Sequence, residues 1–136
     1  MGQIRKLMTV LPRTVKTGDS IVDAAKLMRG EDSGIAPIVD GDRLVGVITD
    51  RDIAIRVVAE GRDPLTTRVE EVASTNLVTI DPQQNLDEAL RLIREHHVRR
   101  LPVVEEDGRL IGIVAESDVA RHLDKERVSE VVEQIP

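Results

Sequence analysis

Two short segments carry side chains that could bind a phosphorylated sugar. The first is Thr49-x-x-Asp52, which follows the apolar run Leu44–Ile48 at a point where a strand would end and a helix begin. A carboxylate at such a junction can accept hydrogen bonds from both ribose hydroxyls, as acidic residues do in other nucleotide folds. A helix N-terminus also favours a phosphate. The second segment is Arg99-Arg100, because guanidinium groups match phosphate oxygens bidentately.

Both segments also have an interpretation without a ligand. The threonine and the aspartate have the spacing of a capping box, which only stabilises the start of a helix. The chain has the same pattern at two other predicted helix starts, Ser20-x-x-Asp23 and Asn85-x-x-Glu88. The arginine pair is equally explained as solvated charge or as a partner for the many acidic side chains. The residues alone leave these interpretations open.

The chain contains an internal repeat. Pro37 to Ile53 reads PIVDGDRLVGVITDRDI, and Pro102 to Val119 reads PVVEEDGRLIGIVAESDV. The offset between the copies is 65 up to the turn and 66 after it, because the second turn has one more residue. Two copies are too few for a solenoid. We therefore expect a pseudo-twofold pair with a cleft between its halves.

Composition excludes several classes of protein. The chain has 136 residues, so each half has about 60 and would be only marginally stable alone, and the two halves are expected to share a core. A net charge of −6 and the absence of Phe, Tyr and Trp argue against nucleic-acid binding. No apolar run approaches the ~20 residues that span a bilayer, and no secretory signal is evident. We expect a cytoplasmic protein that binds neither nucleic acid nor membrane.

Each half predicts the same order of elements, β-α-β-β-α. Apolar residues at helical spacing predict the helices, and Asp-Gly pairs between β-branched runs predict hairpins. The predicted fold class is α/β (α+β), with two pseudo-twofold-related units packed sheet to sheet. The predicted elements are extended stretches at Thr14–Lys16 and Leu77–Ile80, helices at Ile21–Arg29 and Leu86–His96, hairpin strands at Ile35–Val39, Leu44–Thr49, Leu101–Glu105 and Leu110–Ala115, second helices from Asp50 and from Glu116 toward Leu123, a helical turn at Val69–Val72, and a short helix in the tail at Val128–Ile135.

This pattern resembles the CBS domain, named for cystathionine β-synthase. The resemblance depends on the segments Gly46–Asp52 and His97–Val104, found together at this spacing. Two such domains in tandem form a Bateman module, and the chain looks like the free-standing bacterial kind. The boundaries that follow are 8–63 for the first domain, 64–71 for a linker, 72–125 for the second domain and 126–136 for a tail.

The resemblance implies two clefts between the paired domains, with an adenosine-containing ligand in one or both. In the first cleft the implied contacts are Thr49, Asp52, Thr79, Val98, Arg99, Arg100, Leu101 and Pro102. In the second they are Val15, Ile35, Ala36, Pro37, Ala115 and Asp118. We expect the second cleft to be weak or empty, because Ala115 lacks the hydroxyl and the facing segment, Ser33–Pro37, has no basic residue.

The leading hypothesis is a regulatory module that senses an adenine nucleotide and changes its packing for an unidentified protein partner. AMP, ADP and ATP lead as ligands, S-adenosylmethionine and NAD trail, and no cofactor is obligatory. Family analogy also implies a homodimer. The alternative is a dimerisation or assembly module that acts on a protein partner without any nucleotide.

Neither catalysis nor a metal site is expected. The chain has no Gly-x-Ser-x-Gly motif and no P-loop, so we expect no enzyme activity. His96 and His97 are adjacent, and adjacent residues do not share a helix face. No zinc-binding pattern and no cysteine are present, and His122 is expected at the surface.

Overall fold

The computed structural model describes the backbone of residues 4–133 and the side chains of residues 4–128. Helices and strands alternate in a mixed fold with two three-stranded sheets. In chain order the elements are α1 (Ile4–Leu7), β1 (Thr9–Val10), β2 (Val15–Lys16), α2 (Ile21–Glu31), β3 (Ile35–Asp40), β4 (Arg43–Thr49), α3 (Asp50–Asp52), a π-helical segment π1 (Ile53–Val58), α4 (Val69–Val72), α5 (Leu86–His96), β5 (Arg100–Val104), β6 (Leu110–Ala115) and α6 (Glu116–Glu133).

The predicted helices and hairpins form where local sequence signals are strongest. Ser20 caps α2 with a complete capping box, and Asn85 Oδ1 accepts a hydrogen bond from Glu88 N at 2.9 Å at the start of α5. Both helices bury one apolar face and end in a left-handed residue, Asp32 or His97. The mixed fold of two similar units is confirmed.

The first unit comprises residues 12–77 and 107–110. Its sheet has the order β2-β3-β4, with β2 parallel and β4 antiparallel to β3. Buried side chains of α2, β3, β4 and π1 form its core, among them Ile21, Ile38, Ile48 and Val57. The turn at 107–110 belongs here because Gly108 O accepts a hydrogen bond from Leu44 N at 3.0 Å.

The second unit comprises residues 4–11, 78–106 and 111–133. Its sheet has the order β1-β6-β5. The predicted extended stretch Leu77–Ile80 forms only one bridge, between Ile80 and Val103, so a full strand is absent from that described stretch. That bridge matches the pairing of Val15 with Ile38 at the repeat offset of 65. The core includes Leu101 and Val103.

The segment that precedes each repeat pairs with the last strand of the other repeat. Thr9 pairs with Ile113 on β6, and Ser74 pairs with Val47 on β4. These pairings are related by the repeat offsets, as are α1 and α4. We call residues 4–10 and 69–75 the leader segments. Each unit therefore combines the body of one repeat with the leader of the other, which the sequence did not predict.

Two features differ from the predicted organisation. Residues 8–11, which the sequence-based boundaries place in the first domain, belong to the second unit through the pairing of β1 with β6. The second helix of the second repeat does not stop near Leu123, because α6 continues to Glu133. The predicted separate helix at Val128–Ile135 is therefore wrong as far as Glu133, and its last residues lie outside the described ones.

Candidate functional site

The junction between β4 and α3 places Thr49 and Asp52 together. Thr49 is the extended N-cap residue, and its Oγ1 accepts a hydrogen bond from Asp52 N at 3.1 Å. Asp52 Oδ2 in turn accepts one from Thr49 N at 2.9 Å. The capping interpretation is therefore confirmed, because two otherwise unpaired backbone donors are satisfied. The box also fixes the carboxylate at the strand end.

The second oxygen of Asp52 faces a guanidinium group that the sequence interpretation missed. Asp52 Oδ1 lies 4.0 Å from Arg56 Nε, and the Asp52 side chain is 17% exposed. Arg56 Nη1 donates a hydrogen bond to Val72 O at 3.0 Å. The signal available in the sequence was the i,i+4 spacing of an acid and an arginine at the start of a helix. Among the described residues Oδ1 accepts no hydrogen bond.

A second carboxylate lies beside the segment that precedes β3. Asp50 N donates a hydrogen bond to Gly34 O at 3.0 Å. A Cβ added at Gly34 would lie 2.9 Å from Asp50 Oδ2, so only glycine fits there without a shift. The segment Ser33–Pro37 therefore has an acidic neighbour in addition to lacking basic residues of its own.

The equivalent junction in the second repeat has different chemistry. Ala115 stands where Thr49 does and offers no hydroxyl to cap α6. Asp118 forms an ion pair with Arg121, and its side chain is 37% exposed. Position 122, equivalent to Arg56, is a histidine whose Nε2 lies 3.3 Å from Glu126 Oε1. The Asp118 side chain is thus more exposed than that of Asp52, and its ion-pair partner lies on its own helix.

The segment before β5 carries the arginine pair. His97 ends α5 with a left-handed backbone, φ 55°, and Val98 packs against the core of the second unit. Arg99 is exposed and Arg100 half-buried. In the described part of the chain neither guanidinium has an ion-pair or hydrogen-bond partner. The interpretation of this pair as a partner for intramolecular acids thus finds no support.

The apolar residues of the two predicted sets are largely buried. Leu101, Pro102, Val15, Ala36 and Pro37 are buried, which agrees with a core role for their side chains. The half-buried members are Thr79, Val98, Ile35 and Ala115. Within the second unit Thr79 adjoins the β5 segment, because its neighbour Ile80 donates a backbone hydrogen bond to Pro102 O at 3.0 Å. Thr49 and Asp52 belong to the first unit, and Thr79 and Val98–Pro102 belong to the second.

Among the described residues, no group of three or more His, Asp or Glu side chains is placed to hold a metal ion. His122, expected at the surface, is half-buried. No helix within the described residues is long and apolar enough to cross a membrane.

Comparison with known proteins identifies relatives over nearly the whole chain. The model of the CBS domain matches residues 4–59 and again residues 69–125. Hypoxic response protein 1 of Mycobacterium tuberculosis is 40% identical over 136 residues, which cover 99% of this chain and 94% of that protein. A crystal structure of hypoxic response protein I with two coordinated zinc ions has a TM-score of 0.82 and 41% identity, covering 89% of this chain and 98% of that one.

Two further solved structures contain adenosine compounds. The CBS domain pair of protein MJ0100, in complex with 5-methylthioadenosine and S-adenosyl-L-methionine, is 27% identical with a TM-score of 0.81. The alignment covers 93% of this chain and 98% of the MJ0100 chain. CBSX2 in complex with AMP is also 27% identical, with a TM-score of 0.80, and covers 93% of this chain and 99% of its own.

Proposed function

We propose that this chain, which belongs to the CBS domain family and carries the domain twice, is a regulatory module that binds an adenine nucleotide. The observation that carries the proposal is the Asp52 carboxylate. Its Oδ2 is held by Thr49 N at 2.9 Å, which leaves Oδ1 to accept hydrogen bonds from ribose. The start of a helix at the same point favours the phosphate end of the ligand.

The proposed phosphate contacts are Arg99 and Arg100. Both guanidinium groups lack a partner within the described residues. Thr79 lies beside the same strand, because its neighbour Ile80 pairs with Val103 of β5, and the three side chains are proposed to form one binding surface of the second unit. AMP, ADP and ATP are the proposed ligands because two cationic groups suit a phosphorylated one.

Two of the structural relatives support an adenosine compound as the ligand. The MJ0100 and CBSX2 structures hold adenosine derivatives with and without a phosphate. In this chain the base would be held by aliphatic side chains, since Phe, Tyr and Trp are absent from the sequence. S-adenosylmethionine and NAD remain the less favoured ligands, and the regulatory partner is proposed to be a protein.

The second repeat is proposed to bind weakly or not at all. Asp118 is engaged by Arg121, and Ala115 removes one hydrogen bond, worth roughly 0.5–1.5 kcal/mol. The segment expected to face it has the acidic neighbour Asp50 beside Gly34. A phosphate would be repelled there rather than bound.

We also propose that the module is a homodimer. In the first unit, the side chains of Ile55, Val58 and Leu65 are 47%, 69% and 70% exposed. We propose that a second copy of the chain covers these apolar side chains.

Sedimentation velocity of the full chain should give twice the monomer mass. Val58→Glu should weaken the dimer, and Ala59→Glu, which adds the same charge at the next residue, should weaken it less. A monomer at all concentrations would refute the proposal.

The first experiment exploits the absence of aromatic side chains. Without Trp, Tyr or Phe the protein has almost no near-ultraviolet absorbance, so a co-purified adenine is directly visible after heat denaturation and can be identified by mass spectrometry. Calorimetric titration with AMP, ATP, S-adenosylmethionine and NAD then ranks the ligands. No chromophore and no binding at millimolar concentration would favour the nucleotide-independent assembly module instead.

The residue assignment is tested with a matched pair of variants. Asp52→Asn keeps an oxygen for Thr49 N and removes the charge, so AMP should bind roughly tenfold to a hundredfold more weakly, as for hydrogen bonds to a charged group. Asp118→Asn makes the same change in the second repeat and should alter the affinity much less. Equal losses in both variants would contradict the assignment of the principal site.

A further inference from the structure

Arg56 lies between the proposed ribose-binding carboxylate and the leader segment of the second repeat. Its Nε faces Asp52 Oδ1 at 4.0 Å, and its Nη1 donates to Val72 O at 3.0 Å. Val72 is the last residue of α4, so its carbonyl is one of those that a short helix leaves unpaired. One guanidinium group thus faces the Asp52 carboxylate through Nε and binds, through Nη1, a carbonyl 16 residues further along the chain.

The backbone around Arg56 is unusual. The segment Ile53–Val58 is π-helical and follows directly on the capping box of Thr49 and Asp52. Ala59 N donates a hydrogen bond at 2.9 Å to Ala54 O, five residues earlier, which is the pattern of a π-helix. Wider helical turns of this kind are rare and are frequently found at functional sites. Val57 is fully buried, so the core of the first unit fixes the segment while Arg56 stays 54% exposed.

We propose that Arg56 is a positioning residue for nucleotide binding, which holds the Asp52 carboxylate in place and ties it to the leader segment at Val72. This inference rests on the proposed function. The capping box fixes Oδ2 of Asp52 from one side, and the guanidinium attracts Oδ1 from the other. The carboxylate is then oriented before a ribose binds, and this lowers the entropic cost of ordering the Asp52 side chain on binding.

The second repeat provides an internal contrast. His122 occupies the position equivalent to Arg56, and it pairs with Glu126 rather than with Asp118. Asp118 is held by Arg121, on the same helix and without a link to a leader segment. The tie between carboxylate and leader is therefore a property of the first repeat, among the residues that the structure describes.

The test measures the affinity of the full chain for AMP and for adenosine by calorimetry. Arg56→Gln keeps a hydrogen-bond donor and removes the charge, and both ligands should bind roughly two- to fivefold more weakly, the range expected for an exposed ion pair. Arg56→Lys keeps the charge and should recover most of the affinity. Arg51→Gln removes the same charge from the exposed residue that precedes Asp52, and it should change the affinity for neither ligand.

The outcomes separate this inference from the proposed function. If the unaltered chain binds neither AMP nor adenosine, the proposed function fails and the inference fails with it. If it binds them and Arg56→Gln binds equally well while its Tm falls, Arg56 only caps α4 and the inference alone is overturned. If Arg56→Gln weakens AMP and leaves adenosine unchanged, Arg56 contacts the phosphate directly, which also overturns the positioning role.

Discussion

The two strand-to-helix junctions occupy the same place in their repeats and differ in almost every polar contact. Thr49 and Asp52 form a closed capping box, and Arg56 extends it to Val72. At the other junction Ala115 offers no cap, and Asp118 turns to Arg121. Both junctions nevertheless end a strand and begin a helix at equivalent residues. The strand-to-helix turn therefore forms with or without these polar contacts.

A parallel difference distinguishes the glycines that receive the leader segments. At Gly112 a Cβ would lie 2.5 Å from Met8 Sδ and 3.0 Å from Thr9 O, whereas at Gly46 the nearest atom is Ser74 O at 3.3 Å. Gly112→Ala should destabilise the chain by roughly 1–3 kcal/mol, because the overpacked leader must move. Gly46→Ala should lower the free energy of unfolding by less, because its added Cβ would lie no closer than 3.3 Å to Ser74 O. Urea unfolding of both variants measures the difference, and equal effects would show that the leaders are held alike.

The arginine pair marks a second difference between the repeats, since its equivalents are Gly34 and Ile35. The double variant Arg99→Gln with Arg100→Gln should weaken the binding of AMP by about tenfold and leave the affinity for adenosine nearly unchanged. The reason is that only the phosphate loses charge-assisted hydrogen bonds. Calorimetry with both ligands measures this. Arg29→Gln with Arg94→Gln removes two exposed charges elsewhere and serves as the control. An equal loss for adenosine would assign the pair a structural role.

The hydroxyl at the junctions can be exchanged. Thr49→Ala should destabilise the chain by about 0.5–2 kcal/mol, the usual cost of an N-cap. Ala115→Thr supplies the missing cap to α6, where Asp118 stands at the third position, and should stabilise by about 0.5–1 kcal/mol. Chemical unfolding of the two variants checks both signs. A neutral Ala115→Thr would mean that the pairing of Asp118 with Arg121 prevents the box from forming.

The smallest expected effect concerns a leader segment. Hydrogen bonding to the Arg68 backbone, and then to the Arg62 side chain, lowers the pKa of Glu71 below its ordinary value of 4.5. Since the folded state lowers this pKa, the stabilisation is present above about pH 4.5 and is lost as the pH falls below it. The equivalent residue in the first leader is Lys6, which forms no such contact in the described part of the chain.

The variant Glu71→Gln should therefore have a slightly lower Tm than the unaltered chain at pH 7, and the difference should narrow as the pH falls below 4.5. Glu60→Gln, at an exposed residue of the same unit, is the matched control and should leave Tm unchanged at both pH values. A difference in Tm that stays constant with pH would show that packing, and not the charge of Glu71, stabilises α4.

Local signals in the sequence determined most of the secondary structure. The capped starts of α2 and α5, the two hairpins and the turn at Val69–Val72 depend on neighbouring residues, so periodicity and capping patterns predicted them. The internal repeat likewise gave the number of units. The capping box at Thr49 was also predictable, because its donors and acceptors are three residues apart.

Only the tertiary structure decided how the repeats share their segments and what surrounds Asp52. The leader pairings join residues as far apart as Thr9 and Ile113, and a strand of two residues carries no pattern of its own. Arg56 reaches Val72 because the π-helical segment and α4 pack in one unit, although the i,i+4 spacing to Asp52 was visible. Local propensity acts over a few residues, whereas these contacts form only when distant segments bury a common core.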